Sequence, residues 1–560
     1  MVFACGCALR LHHLGTFSLW WDEIVHVWTS QSGDLADVLR EVKQGIPPGS
    51  GNAGAVPLDY VLLHLFLRLT PTPAPEWLEI YYRFPAFLCS CLAMPLLYAF
   101  GRRFLDRQVA LLAILLLALS TPHILYAAEA RFYSLFVLMT VANLYAFAAL
   151  AEQPGRLAAW AAYAAVNVLF FFSGLFSLLV LALQYAILGA LVVAPAVARR
   201  TGPVDRGSTP ASGPSYREIG AFLVTGAVLA GCVAAYLAGT SIGHKYGRNP
   251  ARIPDALRLT WDTYLTFSSN NRLLFACLLL LPLPLAYAWR RGRALLSVVL
   301  SLELALLAIP LIVELARWKH YYFHPRHALF LLPAVVILTA LALLSVVRTL
   351  DPSRWLGVAV RRRAACNLAL ACLLVLATQL STVRSYLTHP ERSFAHSKKT
   401  YDLRGVTQAV RDAVATYGPG DKYLLITQRN IMANVTLAQY LRWYGLEDRV
   451  VLRGTREPPE MLQRVLDLCA TGCLGQRGGL VDRALESTAP FGLPPDFKRL
   501  LGLLQPIGRW PGIVRDIGIV AYSPLPAPTP GEGYVVHQRR GVQLVEVAGE
   551  ARRGSTLPGR

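Results

Sequence analysis

Two adjacent carboxylates interrupt an apolar stretch near the start of the chain. In "SLWWDEIVHVW" (residues 18–28), Asp22 and Glu23 follow Trp20 and Trp21. Tryptophan favours the interface between lipid and water, which predicts that both acids lie just above a membrane surface. In one interpretation they are polar residues that end a helix and face water. In the other they belong to an interfacial site, where a carboxylate takes a proton from a hydroxyl beside a lipid-linked head group.

A second polar element lies in a short turn between two apolar segments. The stretch "LYAAEARFYSLF" (125–136) places Glu129 and Arg131 in this turn. A guanidinium binds phosphate through two parallel hydrogen bonds, so Arg131 is a candidate phosphate ligand. The alternative is that Arg131 extends towards the interface and pairs with Glu129.

The third polar element is the cationic and aromatic stretch "RWKHYYFHPRHALFLLP" (317–333). His320, His324 and His327 have the i, i+4, i+7 spacing that would place three metal ligands on one helical face. Pro325 argues against a continuous helix there. The stretch is better interpreted as a surface that binds a lipid phosphate. Its candidate contacts are Lys319, His320, His324 and Arg326.

Membrane helices must position these elements. Of 560 residues, 54% are hydrophobic and 16% are charged, with a mean hydropathy of +0.42, whereas soluble proteins carry about 25% charged residues. The apolar residues form runs that are long enough to cross a hydrocarbon core of about 30 Å as helices. We therefore predict an all-α polytopic membrane protein with about 10 or 11 transmembrane helices. Ten spans are predicted near 83–101, 107–124, 132–151, 156–173, 176–195, 218–240, 272–290, 294–314, 327–347 and 364–383.

The net charge of +20 does not indicate nucleic-acid binding, because the arginines cluster in short loops between the spans. These loops lie near residues 102–107, 199–217, 290–293 and 354–363. The positive-inside rule places them in the cytoplasm. The three polar elements and everything after about residue 384 are then extracytoplasmic, in a protein of the inner (plasma) membrane.

The sequence predicts three regions: a transmembrane domain over 1–383, a small extracytoplasmic α/β domain over 384–548, and a disordered tail over 549–560. In the second region helical patterns near 403–418 and 431–445 alternate with strand patterns near 422–428 and 449–453, and a hairpin is expected at 533–547. A disulfide between Cys469 and Cys473 is left open. Residues 57–70 are expected to form a helix that lies in the interface, and residues 1–15 resemble the end of a longer span.

Together the three elements suit sugar transfer from a phosphate carrier. Cations stabilise the charge that develops on a leaving phosphate. A carboxylate can deprotonate the attacking hydroxyl, and the transition state resembles the oxocarbenium ion of glycosidases.

From "SLWWDEIVHVWTS" to "LYAAEARFYSL" the sequence resembles bacterial glycosyltransferases with the GT-C fold. These are relatives of protein O-mannosyltransferases and lipid A aminoarabinose transferases, in glycosyltransferase families 39 and 83. Such enzymes have an Asp-Glu pair in an outer loop, a Pro-Pro-Leu-Tyr helix and a Glu-Ala-Arg-x-Tyr turn. "YFHPRHALFLLPAVVIL" resembles their late Arg-Tyr-then-Pro element. This chain departs from the pattern at Val56-Pro57-Leu58-Asp59, at Arg326-His327, and at Ser173-Gly174, where a histidine is often found.

The resemblance implies a polyprenyl-phosphate sugar donor, inversion at the anomeric carbon and catalysis on the extracytoplasmic face. It implies that Asp22 is the catalytic base or, in some members, a ligand of a divalent cation such as Mg²⁺ or Mn²⁺. Glu23 would be its companion, Arg131 the phosphate contact, and Glu129 and Tyr133 part of the same turn. The sugar, hexosyl or pentosyl, and the acceptor, a glycan, protein or lipid, stay open.

The sequence also suggests two alternative functions. A transporter or lipid flippase would keep ionisable groups inside the spans, and Glu303 is the main such candidate. A membrane anchor for an active C-terminal domain is the third hypothesis, and that domain shows no phosphate-binding loop or nucleophile elbow.

Overall fold

The structure is a computed structural model that describes residues 1–44, 56–201, 216–238, 256–318, 324–355, 358–389, 403–415, 422–428, 431–455, 514–521, 534–539 and 542–547. In chain order its first helices are α1 (Val2–His12), α2 (Trp21–Gln31), α3 (Leu35–Gln44), α4 (Pro57–Leu69), α5 (Leu78–Phe104), α6 (Arg107–Leu119), α7 (Thr121–Ala127), α8 (Tyr133–Glu152), α9 (Leu157–Ser173) and α10 (Ser177–Thr201). They are followed by α11 (Tyr216–Ala238), α12 (Ala256–Phe267), α13 (Arg272–Leu278), α14 (Pro282–Arg291), α15 (Arg293–Leu307), α16 (Ile309–Trp318), α17 (Leu332–Leu350), α18 (Pro352–Trp355) and α19 (Val360–Thr388). Two 3₁₀ helices, Pro75–Trp77 and Pro325–Leu331, interrupt this series.

The chain divides into two compact units. Unit 1 comprises Met1–Leu14, Val25–Thr72 and Ile80–Ser393, and unit 2 comprises Gly15–Ile24, Pro73–Glu79 and Phe394–Arg560. The predicted boundary near residue 384 stays a prediction.

Unit 1 contains the candidate membrane spans. In the described part of the chain, six helices are long and apolar enough to cross a bilayer, and eight spans result if each of two bent helix pairs counts as one. The remaining two predicted spans coincide with α9 and with the apolar part of α10, Ser177–Val192, which are shorter. The prediction of a multi-pass helical membrane protein is therefore confirmed.

The helix α17 lies at the centre of the apolar core of unit 1. Every side chain from Leu332 to Leu344 is buried, as expected for a run without charged residues. α17 packs against α6, α15 and α19, and the 3₁₀ helix Pro325–Leu331 leads directly into it. The packing of α17 in the core therefore fixes the position of the 3₁₀ helix Pro325–Leu331, which is the C-terminal part of the cationic stretch.

Unit 1 also contains a polar network between membrane helices. The Nδ2 of Asn143 in α8 donates to Oδ1 of Asn167 in α9, at 2.8 Å. The Nε2 of Gln184 in α10 donates to Oδ1 of Asn143, at 2.7 Å, and the Tyr163 hydroxyl donates to Oε1 of Gln184, at 3.0 Å. Amide hydrogen bonds of this kind fix the register of neighbouring helices where lipid offers no competing partner.

The second predicted span is broken into α6 and α7, which meet at an angle of 57°. Such a break leaves carbonyl groups without intrahelical partners, and the fully buried Arg10 of α1 satisfies them. Its Nη2 donates to the Leu117 carbonyl at 2.9 Å and its Nη1 to the Ala118 carbonyl at 3.1 Å. Its Nε donates to Oγ of Ser90 at 2.8 Å, and Nη2 also donates to Nδ1 of His123 at 2.7 Å.

The described residues of unit 2 after Phe394 contain two helices, Leu403–Val414 and Ile431–Trp443, and five strands. The strands are β1 (Lys422–Gln428), β2 (Val450–Thr455), β3 (Val514–Ala521), β4 (Tyr534–Arg539) and β5 (Val542–Val547). They form one sheet in the order β2-β1-β3-β5-β4, in which β1 is parallel to β2 and β3, and β5 is antiparallel to β3 and β4. Both helices and four of these strands lie where the sequence pattern predicts helices and strands, whereas β3 was not predicted. Cys469 and Cys473 lie outside the described residues.

The N-terminal and central segments of unit 2 are tied to its C-terminal helices through Glu79. The Glu79 side chain is buried, with Oε2 3.1 Å from Nη1 of Arg404. The Tyr440 hydroxyl donates to Oε1 of Glu79 at 2.9 Å and accepts a hydrogen bond from the Leu19 amide at 2.7 Å. Leu19 is thereby held in place three residues before Asp22.

Replacing Arg10 with methionine should destabilise unit 1. Methionine fills a similar volume but donates no hydrogen bond. The Ala118 carbonyl then loses its Arg10 donor, and the Leu117 carbonyl keeps the Ser120 amide at 3.3 Å but loses Arg10, at a cost of about 3 kcal/mol or more. We expect the thermal midpoint in detergent to fall by several degrees. The matched control is Arg40→Met, because Arg40 is exposed and contacts only Asp37 in its own helix. Equal effects of the two substitutions would contradict this role of Arg10.

Candidate functional site

The turn between α7 and α8 carries the first group of predicted residues. The Arg131 amide donates to the Glu129 carbonyl at 2.8 Å, and Oγ of Ser134 donates to the Tyr126 carbonyl at 3.1 Å, which closes the turn. The Glu129 side chain is buried and Arg131 is partly buried. The broken span therefore ends in a tight turn that fixes both residues.

Three titratable groups from other parts of unit 1 lie within electrostatic reach of Arg131. They are His26 in α2, Asp59 in α4 and His327 in the 3₁₀ helix Pro325–Leu331. Arg326 also acts on the His327 ring. The charges of two guanidinium groups that are far apart in sequence thus both lower the pKa of one imidazole, and guanidinium groups suit the binding of anions such as phosphate.

The cationic stretch meets the α7–α8 turn through aromatic contacts. The Arg326 guanidinium lies 6.0 Å from the centre of the Tyr133 ring, within the range of a cation–π interaction. The rings of Phe330 and Phe136 stack with centres 4.6 Å apart. The structure therefore brings together Arg131, Tyr133 and Arg326, which the sequence predicted as one phosphate-binding group.

His324 has a local structural role. It is the N-cap of the 3₁₀ helix, where its Nδ1 accepts a hydrogen bond from the Arg326 amide at 3.3 Å, and the His324 amide donates to Nδ1 of His327 at 3.2 Å. The helix begins at Pro325, so His324 and His327 do not share a continuous α-helical face. Lys319 and His320 lie outside the described residues, and their predicted phosphate contacts stay predictions.

Asp22 and Glu23 lie in the first turn of α2. Glu23 is completely buried, and its Oε2 accepts a hydrogen bond from the Trp20 amide at 3.2 Å, as in one half of a capping box. Glu23 is therefore buried at the start of a helix. The interpretation that it ends a helix and faces water is wrong for this residue. Asp22 is partly exposed. Both residues belong to unit 2, and their approach to Arg131 stays a prediction.

A buried acid and histidine in unit 1 were not predicted as site residues. Oδ2 of Asp59 lies 3.1 Å from Nε2 of His26, and 9% of Asp59 and 2% of His26 are exposed. Burial raises the pKa of Asp59 to about 7, and the charge of Arg131 opposes this effect. Burial and then Arg131 lower the pKa of His26 well below its ordinary value, so the imidazole is neutral. The only sequence signal was the departure from Pro-Pro-Leu-Tyr at Asp59.

A divalent cation was expected at Asp22. Among the described residues, no three His, Cys, Asp or Glu side chains come together as a ligand group. A divalent cation at Asp22 stays a prediction.

No protein-family model matches the chain, and no curated protein is found to match it. Among solved structures it is similar to ArnT from Cupriavidus metallidurans, both in the apo state and bound to undecaprenyl phosphate. The identity is 15% in both cases, over 99% of this chain and 98% of that chain, with TM-scores of 0.48 and 0.46. It is also similar to the archaeal oligosaccharyltransferase AglB from Archaeoglobus fulgidus in complex with an inhibitory peptide and a dolichol-phosphate. There the identity is 12%, over 92% of this chain and 68% of that chain, with a TM-score of 0.46. Both are GT-C fold enzymes, the group that the sequence resembles.

The Asp59 carboxyl should make folding stability depend on pH. Its pKa is higher in the folded chain than the usual 3.8, so the folded state binds more protons and stability falls as pH rises between about 4 and 7. Asp59→Asn removes the ionisation and should raise the thermal midpoint at pH 8 but not at pH 4. The gain has an upper limit of about 4 kcal/mol. Scanning fluorimetry from pH 4 to 8 measures the gain, with Asp37→Asn at a partly exposed position as control. A constant difference between variant and wild type would contradict the prediction.

Proposed function

We propose that the protein is a membrane glycosyltransferase that moves a sugar from a polyprenyl-phosphate donor to an acceptor hydroxyl with inversion. The observation that carries this proposal is the position of the Arg326 guanidinium, 6.0 Å from the centre of the Tyr133 ring, next to the turn that carries Arg131. A guanidinium group can bind phosphate through two parallel hydrogen bonds, and the Tyr133 ring beside it provides an apolar wall. The sequence resemblance to GT-C glycosyltransferases gives the class of donor.

The proposed reaction breaks the bond between the anomeric carbon and the phosphate oxygen. The negative charge that develops on the phosphate is stabilised by Arg131 and Arg326, which are fixed before the reaction by the turn and the 3₁₀ helix. The acceptor oxygen attacks the opposite face of the sugar, and its proton passes to Asp22 as general base. Glu23 supports Asp22 through the start of α2, where it caps the helix.

The arginine-rich loops between spans support a site on the extracytoplasmic face of the inner membrane. The described strands and helices between residues 403 and 547 support a small α/β domain, which the positive-inside rule would place outside the cytoplasm. We propose that this domain shapes access for the acceptor, which is a glycan, a protein or a lipid. The donor is a hexosyl or pentosyl polyprenyl phosphate.

The alternative, a transporter or flippase, rests on Glu303. This acid is buried in α15, and its Oε1 makes no hydrogen bond to any described residue. A buried acid within a span is a candidate for proton or ion coupling. The two functions differ in their prediction for Glu303→Gln, which should abolish transport but leave sugar transfer unchanged.

Turnover of a radiolabelled polyprenyl-phosphate sugar by the purified protein in detergent tests the proposal. A panel of decaprenyl- and undecaprenyl-phosphate hexoses and pentoses identifies the substrate. Arg131→Gln should lower turnover by about a hundredfold or more because it removes charge stabilisation from the leaving phosphate. Arg131→Lys should retain an intermediate rate, because lysine keeps the charge without the paired hydrogen bonds. Asp22→Asn should also lower turnover by about a hundredfold or more.

The matched control is Arg103→Gln. Arg103 contacts Tyr145 and Glu152 at an exposed position, and its replacement should leave turnover within about twofold of wild type. Each variant is checked for folding by its thermal midpoint. Wild-type turnover in folded Arg131→Gln would refute the proposed phosphate site, and wild-type turnover in folded Asp22→Asn would remove Asp22 from the mechanism.

A further inference from the structure

Unit 1 contains a cavity beside the break between α6 and α7. Its polar lining residues come from four parts of the unit and are Ser120 at the break, Ser268 and Ser269 in the turn between α12 and α13, Thr339 of α17 and Gln379 of α19. Each of these residues is between 2% and 4% exposed, and apolar side chains complete the wall. The space open to the centre of a water-sized sphere is about 10 Å³, close to the ~10–15 Å³ at which a cavity holds one water molecule.

The polar lining has hydrogen-bonding capacity that the described residues do not use. Five atoms have no hydrogen-bond partner among these residues, namely Oγ of Ser120, Oγ of Ser268, Oγ1 of Thr339, and Oε1 and Nε2 of Gln379. A threonine within a helix can bond its own backbone, as Thr140 of α8 does through Oγ1, but Thr339 does not. Buried polar atoms normally have a partner in the protein or in ordered water. Five such atoms around one cavity therefore indicate a ligand.

The turn between α12 and α13 is held in place at the cavity by other atoms. Ser269 and Asn270 have φ angles of 54° and 57°, in the left-handed region that residues other than glycine rarely adopt. The Thr121 amide donates to Oγ of Ser269 at 3.3 Å, and Nδ2 of Asn271 donates to the Thr378 carbonyl at 2.9 Å. These bonds tie the turn to α7 and α19 and leave the five unpartnered atoms for a ligand.

We propose that this cavity is a binding site for an internal water molecule that joins the α6–α7 break to α17 and α19. The Gln379 amide decides the class of ligand, because its Nε2 needs an acceptor and its Oε1 needs a donor. A monatomic ion satisfies only one of these atoms, whereas water both donates and accepts, and the three hydroxyls can take either role. A cation is also opposed by the fully buried Arg10, which binds the two carbonyls that follow Leu116 of the cavity wall.

Thr339→Val distinguishes a hydrated cavity from a dry one by the sign of its effect on stability. Valine keeps the shape of the side chain and removes the hydroxyl. With water bound, the variant loses a hydrogen bond, and we expect the thermal midpoint in detergent to fall by about 1–3 °C. In a dry cavity the hydroxyl has no partner, so its removal would raise the midpoint and overturn the inference. The matched control is Thr140→Val, because Thr140 is equally buried and bonded within its own helix. A fall no larger than in this control would also overturn the inference.

Radiolytic footprinting detects the water in the wild type. X-rays convert bound water to hydroxyl radicals that oxidise adjacent side chains, and mass spectrometry locates the oxidised residues. We expect oxidation of Phe267, which lines the cavity, but not of Phe100, which is buried in an apolar part of unit 1. The combined variant Ser268→Ala, Thr339→Val and Gln379→Met should lose the oxidation of Phe267, because a cavity with apolar walls stays dry. An unoxidised Phe267 in the wild type would overturn the inference, and so would oxidation that persists in the folded combined variant.

Discussion

The hydrogen bonds of Arg10 to the end of α6 are the interaction on which unit 1 depends. Lipid offers no partners for the carbonyls of a broken helix, so the bend between α6 and α7 requires a donor from elsewhere in the protein. All five N–H groups of Arg10 are used. Because arginine only donates, Nδ1 of His123 must accept, which leaves its Nε2 to donate to Ser90, 3.2 Å away. The bend directs α7 into the turn that carries Arg131.

The apolar pattern predicted much of the fold. Each of the ten predicted spans corresponds to a helix or to one bent pair, because lipid requires long apolar helices whatever the packing. The pattern did not predict the bends. The α6–α7 break has Ser120 and Pro122 as local signals, but what stabilises it is Arg10, more than 100 residues away. In the sequence, Arg10 is only a polar residue near the end of an apolar segment. Its hydrogen-bond partners become visible only in the packed structure.

The candidate site also contains some residues that the sequence predicted and others that it did not. Arg131, Tyr133 and Arg326 were predicted together, because each residue type carries its own chemistry for phosphate. Asp59 and His26 were not, since neither has a recognisable spacing. Their pairing arises because α2 and α4 bring them to 3.1 Å. Conversely, Glu23 and His324 have chemically suitable side chains that the structure uses as helix caps. Residue type thus predicted which side chains of the candidate site lie near one another better than it predicted the residues that hold them in place.

The pair of Asp59 and His26 shows how unit 1 accommodates a buried acid. A carboxylate is costly to bury, and burial raises the pKa of Asp59 to about 7. The His26 ring nitrogen lies 3.1 Å from the carboxyl, and burial keeps this ring neutral. The charge of Arg131 lowers the pKa of Asp59 and so favours the ionised form, against the effect of burial. The contact between α2 and α4 therefore contains a carboxyl whose charge changes near neutral pH.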